Sequence, residues 1–156
     1  MNNSNSARLR ESIRHLERKL GILDQNRFSC CGLASLAQCH ALVEIGRAQS
    51  LSLIELAAML DLDTSTMSRT VDKLVKGKLA RREADENDRR YIRICLTNEG
   101  KKLYAVVEEE MAAYFEKILS DIPPEKREMV VESLELLCGA IDIEGGCNGA
   151  TSNKYQ

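Results

Sequence analysis

Two neighbouring segments in the middle of the chain place their apolar residues on single helical faces. Positions 53, 56, 57 and 60 are Leu or Ala, the spacing of an amphipathic helix. Asp61-Leu62-Asp63 interrupts this pattern. Asp63 or Thr64 can cap a second helix, because their side-chain oxygens accept hydrogen bonds from first-turn N–H groups. The second apolar stripe comprises Met67, Val71, Leu74 and Val75. The pattern predicts two helices joined by a tight turn.

A β-hairpin is predicted directly after the second helix. Residues 79–83 and 91–96 can pair as two strands, and Ile92, Ile94 and Leu96 alternate with less apolar residues, so one face should be buried. The loop between the strands is polar and ends in Arg89-Arg90. A helix-turn-helix followed by such a hairpin is the outline of a winged helix with a two-stranded wing.

Long helices are predicted on both sides of this module. The first covers residues 7–25, with an apolar seam of Leu9, Ile13, Leu16, Leu20 and Leu23. Thr97 can cap another helix over 98–120, and Pro123-Pro124 separates it from a last one that reaches residue 143. A small winged helix cannot bury all of these stripes, so they predict dimerisation helices. Residues 1–6 and 144–156 are rich in Asn, Ser or Gly, which predicts disordered tails.

Charge is distributed unevenly, although the net charge is only −2. Residues 69–93 hold nine Lys or Arg against five Asp or Glu, whereas residues 98–142 hold five against eleven. A basic module on an acidic body indicates a nucleic-acid partner for that module. There is no secretory leader pattern and no apolar run of about 20 residues, so we expect a cytoplasmic protein without a membrane partner.

The polar face of the second helix suits the floor of a DNA groove. Small hydroxyl residues approach base edges without steric hindrance, and an arginine at a wing tip can enter a narrow minor groove. The residues predicted to contact DNA are Thr64, Ser65, Thr66, Ser68, Arg69, Lys73, Arg89 and Arg90.

The order and spacing of these motifs resemble the MarR family of transcriptional regulators. Residues 56–74 are similar to the family's helix-turn-helix, and 88–100 to its wing and the entry to the next helix. The resemblance implies a mainly α (α+β) fold in a single domain over 7–143. Its winged helix would cover 33–97, and its dimerisation helices 7–30 and 98–143. It also implies a homodimer that binds a palindromic double-stranded operator, and we expect a repressor.

Two departures from the family pattern fall at turns. Asp61 stands where members usually carry glycine, but Asp tolerates the left-handed conformation better than most residues. The glycine that ends the second helix comes one residue early, at Gly77 instead of Lys78. If Lys78 has positive φ, the cost is about 1–2 kcal/mol.

Cysteines suggest an effector site. Of six in the chain, Cys30, Cys31 and Cys39 lie within ten residues, and a helix capped by Ser35 is expected to begin between them. Converging thiolates select soft ions, here As(III), Sb(III), Cd²⁺, Hg²⁺ or Zn²⁺, and a helix N-terminus favours the thiolate. No cofactor is required otherwise. His40 and Cys147 are further candidate ligands.

Other interpretations of the same residues stay open. Cys39 can be a packing residue, because a buried thiol behaves as a small hydrophobe. The thiols can sense oxidants instead of ions, or the effector can be a small organic ligand. An enzyme is disfavoured, since neither a thioredoxin-like βαβ pattern nor a Gly-rich cofactor loop is present. A winged helix used only for protein contacts is the stronger rival, and it would not need Arg69, Arg89 and Arg90.

Overall fold

The computed structural model describes residues 3–22, 33, 35–85 and 88–143. Its elements are α1 (Asn3–Leu20), α2 (Leu36–Ala48), β1 (Ser50–Leu51), α3 (Leu53–Met59), α4 (Thr64–Lys76), β2 (Ala80–Ala84), β3 (Ile92–Leu96), α5 (Asn98–Ser120) and α6 (Pro124–Ile143). The chain forms two compact units that divide within α5, between Glu110 and Met111. The boundary therefore lies inside the helix predicted over 98–120.

The first unit contains the predicted winged helix with one additional strand. β2 and β3 pair as an antiparallel hairpin, and β1 pairs with the other edge of β3, giving the order β1-β3-β2. The two-stranded wing was predicted correctly, but the third strand was not. A strand of two residues is too short to show an alternating pattern in the sequence. β1 is therefore recognisable only through its pairing, of Ser50 with Cys95 and of Leu51 with Ile94.

Helices α2, α3 and α4 share one hydrophobic core with the sheet. The largest fully buried side chains in the first unit are Leu42, Ile45, Leu56, Met67, Val71, Leu74, Ile94 and Val107. Leu56 is buried as predicted, and so are Met67, Val71 and Leu74 of the α4 stripe, whereas its fourth member, Val75, is half-buried. Ile92 was also expected to be buried, but half of it is exposed. It pairs with Ala84 at the wing end of the hairpin, where the strands leave the core.

Each of the two turns that depart from the family pattern has a residue in the left-handed backbone conformation. Asp61 has φ 50° and Lys78 has φ 59°. The backbone N–H of Leu79 donates to the carbonyl of Leu74 at 2.9 Å, which closes the end of α4 around Lys78. Gly77 has an ordinary φ of −74°, so the glycine does not supply the turn.

Helix α1 differs from its predicted bounds at both ends. It begins at Asn3, so residues 3–6 are helical and not disordered. Helix propagation adds a hydrogen bond per residue and does not need apolar periodicity, which explains this error. It ends before Gly21, whose φ of 74° allows Ile22 N–H to donate to the Glu17 carbonyl at 3.1 Å. Leu23 and the predicted tail 144–156 lie outside the described residues.

The start of α5 is fixed to the end of α4. Thr97 caps α5 as predicted, since its Oγ1 accepts the Gly100 N–H at 3.0 Å. The same hydroxyl donates to the Lys78 carbonyl at 2.6 Å, and the Thr97 N–H donates to the Leu79 carbonyl at 3.0 Å. A Cβ at Gly100 would lie 1.9 Å from that Leu79 oxygen. Only glycine allows this close approach.

The second unit comprises the rest of α5, the Pro123-Pro124 turn and α6. Arg127 stabilises the turn, donating from Nε to the Ile122 carbonyl at 3.0 Å. Several apolar side chains of these two helices are exposed in the single chain: Tyr114, Phe115, Ile118, Val131, Leu134 and Ile141. None of the helices in the described part of the chain is long and apolar enough to cross a membrane.

Candidate nucleic-acid interface

Helix α4 separates a buried face from a polar one. Its apolar stripe is in the core together with Thr70, whose hydroxyl donates to the Thr66 carbonyl at 3.0 Å. The residues predicted to contact DNA lie away from this stripe. Thr64, Ser65, Arg69 and Lys73 are exposed, and Thr66 and Ser68 are half-buried. The helix therefore presents hydroxyl and cationic groups at its surface, as a major-groove helix requires.

Asp63 caps this helix and binds the two hydroxyls that follow it. Its Oδ1 accepts the Thr66 N–H at 2.8 Å and the Ser65 hydroxyl at 2.5 Å, and its Oδ2 accepts the Thr66 hydroxyl at 2.6 Å. The hydrogen bond from Ser65, followed by those from Thr66, lowers the pKa of Asp63 well below its usual range. The carboxyl group is therefore ionised at neutral pH.

The wing arginines are exposed at the end of the loop. Arg90 pairs with Asp88, with 2.7 Å between Nη2 and Oδ2 and 3.0 Å between Nε and Oδ1. This hydrogen bonding lowers the pKa of Asp88. Among the described residues, no ion pair involves Arg89. Glu86 and Asn87, which belong to the same loop, lie outside the described residues.

Two further arginines of the basic module have structural partners that sequence reasoning missed. Arg82 on β2 forms an ion pair with Asp72 on α4, with 2.9 Å between Nη2 and Oδ1. Arg93 on β3 donates to Glu55 Oε2 at 2.9 Å and to the Ser50 carbonyl at 3.0 Å. These partners are distant in sequence, so no local pattern announces them. These two arginines of the basic module therefore connect the wing strands to α3, α4 and β1.

The predicted cysteine site is only partly within the described residues. Cys39 lies one turn into α2, half-buried, and Ser35 caps this helix as predicted, accepting the Gln38 N–H at 3.3 Å. His40 is exposed. Cys30, Cys31 and Cys147 lie outside the described residues. Within the part of the chain that is described, no three His, Cys, Asp or Glu side chains form a group that could hold a metal ion.

A small cleft opens in the first unit beside α2. Its volume is about 240 Å³. It is lined by Ile45, Gly46, Gln49, Leu96, Lys101 and Tyr104. The ring of Tyr104 lies directly over Gly46, where a Cβ would come within 2.6 Å of the ring carbon Cγ. Gln49 Nε2 donates to the Gly46 carbonyl at 2.8 Å. The lining of the cleft combines apolar groups with the ammonium group of Lys101 and the phenol of Tyr104.

The fold and the exposed α4 face define a winged-helix protein of the DNA-binding class. The MarR family model matches residues 34–92, which confirms the resemblance predicted from the motifs. Members of this family are transcriptional regulators and not enzymes, and the match covers the winged-helix part of this chain.

Individual proteins are similar to the chain in sequence or in fold. The chain is 27% identical over 103 residues to the HTH-type transcriptional regulator BilQ of Clostridium symbiosum, covering 66% of this chain and 72% of that protein. The structure of Streptococcus pneumoniae FabT in complex with DNA is similar in fold, with a TM-score of 0.77, 18% identity and coverage of 88% and 97%. A MarR protein from Peptoclostridium difficile has a TM-score of 0.75, 23% identity and coverage of 92% and 93%.

Proposed function

We propose that this protein is a homodimeric repressor that binds a palindromic operator through α4 and the wing. The observation that carries the proposal is the exposed α4 face, where Ser65, Arg69 and Lys73 stand opposite the buried stripe. In this arrangement α4 enters the major groove, and Arg89 and Arg90 reach the adjacent minor groove. FabT, which shares the fold, has been solved with DNA bound. Such a regulator acts where the DNA is, which we predict to be the cytoplasm.

Exposed apolar side chains support the homodimer. Leu9 and Leu16 on α1, Phe115 on α5 and Leu134 on α6 are each about half exposed in the single chain. Exposed apolar faces on amphipathic helices are characteristic of protein interfaces. Two copies related by a two-fold axis would place two α4 helices on half-sites about 34–36 Å apart.

Replacing Arg69 by Ala tests the DNA assignment. Arg69 is exposed on α4, and its loss should weaken operator binding about tenfold per protomer and relax the preference at one base position. Fluorescence anisotropy with a selected operator duplex measures this. Lys126→Ala, which removes one positive charge from α6, is the matched control and should change affinity little. Equal affinities of wild type and Arg69→Ala would contradict the assignment.

We further propose that Cys30, Cys31 and Cys39 form the effector site and bind a soft metal or metalloid ion. The support is their sequence spacing and the position of Cys39 on α2, a helix that also supplies Leu42 and Ile45 to the core. An ion bound at the start of α2 would displace this helix, which belongs to the same compact unit as α4. A displacement of a few ångströms would misalign one recognition helix, for a coupling free energy of about 1–3 kcal/mol.

The effector proposal predicts that stoichiometric arsenite, antimonite, Cd²⁺, Zn²⁺ or Hg²⁺ releases the reduced protein from DNA. The measured quantity is operator anisotropy at fixed salt, with roughly a 5- to 150-fold loss of affinity expected. The variant with Ser at 30, 31 and 39 should bind DNA but no longer respond. Cys138→Ser, which alters an exposed thiol on α6, is the control. A triple-serine variant that responds like wild type would overturn the site.

Two other effectors remain candidates, each with its own supporting observation. The same thiols can be oxidised, and mass spectrometry after mild peroxide treatment distinguishes this from ion binding, which leaves the mass of the denatured chain unchanged. The cleft beside α2 favours a small organic anion, with Lys101 as the cationic group. Its volume of about 240 Å³ suits only a small molecule.

A further inference from the structure

The protons of two hydroxyls at the start of α4 are directed toward Asp63. The Ser65 and Thr66 oxygens lie 2.5 and 2.6 Å from its carboxylate oxygens, distances typical of O–H···O⁻ hydrogen bonds. An ionised carboxylate has no proton to donate and can only accept. Ser65 and Thr66 must therefore both act as donors to Asp63.

This arrangement determines what each hydroxyl can offer to DNA. A hydroxyl has one proton and two lone pairs, so a hydroxyl that donates to Asp63 can only accept from another partner. Thr66 is half-buried, and its Oγ1 also receives Arg69 Nη2 at 3.4 Å. Ser65 is exposed and keeps its lone pairs for an outside donor. Ser65 is thus the acceptor group at the tip of the helix.

Base edges in the major groove differ in the donors they present. Adenine offers the N6 amino group and cytosine the N4 amino group, whereas guanine and thymine offer acceptor oxygens at the corresponding positions. A protein acceptor that faces the oxygen of guanine or thymine is repelled and forms no hydrogen bond. This repulsion discriminates against those two bases.

We infer that Asp63 sets the base preference of α4 by holding Ser65 as a hydrogen-bond acceptor, so that Ser65 selects adenine or cytosine. The inference rests on the proposed function, because it requires α4 in the major groove. Asp63 is a positioning residue here and acts through the hydroxyl. Without its carboxylate, the Ser65 hydroxyl can rotate and donate to guanine or thymine as well.

The test is enrichment of bound sequences from a randomised duplex pool by wild type and three variants, with far-UV circular dichroism checking each fold. Ser65→Ala locates the base position that Ser65 contacts. Asp63→Gly removes the carboxylate while keeping a tolerated N-cap residue. Asp63→Asn is the matched control, because it removes the negative charge but keeps an acceptor oxygen. The amide oxygen of Asn is expected to accept the hydrogen bond from the Thr66 N–H, and in that position it also accepts the hydrogen bond from the Ser65 hydroxyl.

The position located by Ser65→Ala should hold adenine or cytosine in the wild-type operator, preferred about fivefold over guanine or thymine. Asp63→Asn should retain this preference and Asp63→Gly should lose it. The inference is overturned if Ser65→Ala alters no position, if that position holds guanine or thymine, or if Asp63→Gly keeps the preference. A wild-type protein that enriches no sequence would instead overturn the proposed function. The first two outcomes do not depend on an Asp63 variant folding.

Discussion

Gly100→Ala should unfold the winged helix or destabilise it by at least about 3 kcal/mol. The added Cβ would lie 1.9 Å from the Leu79 carbonyl oxygen and 2.9 Å from the Leu79 carbonyl carbon. Both atoms belong to backbone, so no side-chain rotation can relieve the overlap. The Leu79 carbonyl also accepts the Thr97 N–H, and moving it would break the connection between the end of α4 and the start of α5.

Thermal unfolding followed by circular dichroism measures this effect. For a chain of this length, a loss of about 3 kcal/mol corresponds to a decrease in Tm of roughly 6–12 °C. Gly139→Ala is the matched control, because a Cβ there meets no atom of the described residues within 4 Å. It should be neutral or stabilise α6 by up to about 1 kcal/mol. A Tm for Gly100→Ala within a few degrees of wild type would show that the two segments do not pack as described.

Local chemistry explains why several details could be predicted before the structure. Ser35, Asp63 and Thr97 each cap the helix that the sequence assigned to them, because a cap depends on a side chain and the three residues that follow. Asp61 and Lys78 take positive φ at the two positions where members of the family usually carry glycine, and these turns are likewise decided over a few residues.

Features that depend on distant partners were not predictable in the same way. The strand β1 exists because Ser50 and Leu51 pair with β3, more than 40 residues later. Arg93 belongs to the basic module by sequence, yet it binds Glu55, 38 residues away, and stabilises the sheet. Part of the positive charge counted in the basic module is therefore used in ion pairs within the fold.

The long helices show a different limit. Their apolar stripes predicted dimerisation helices, and Val107 near the middle of α5 is already buried within the single chain. Tyr114 and Phe115, about two turns later, are about half exposed. An apolar pattern indicates that a face will be covered but does not state what covers it. The proposed second copy supplies the missing partner.

Replacing both wing arginines, Arg89→Ala with Arg90→Ala, should weaken operator binding about a thousandfold while the fold is preserved. A dimer would lose four arginines, and about 1 kcal/mol for each amounts to about 4 kcal/mol. Both side chains are exposed, and within the described residues the ion pair of Arg90 is to Asp88, its neighbour in the loop, so their loss removes no core contact.

The salt dependence of binding separates groove insertion from a general charge effect. If each of the four arginines of a dimer neutralises one phosphate, their loss would reduce the slope of log K against log salt concentration by up to about 3.6. Lys117→Ala with Lys126→Ala removes the same charge from the second unit, so it controls for net charge and should leave both slope and affinity nearly unchanged. If the lysine variant matched the arginine variant, attraction by the whole molecule would explain binding and the wing would have no special part. A loss confined to the arginine variant would mean that the wing contacts the DNA directly, because net charge is then equal in the two proteins.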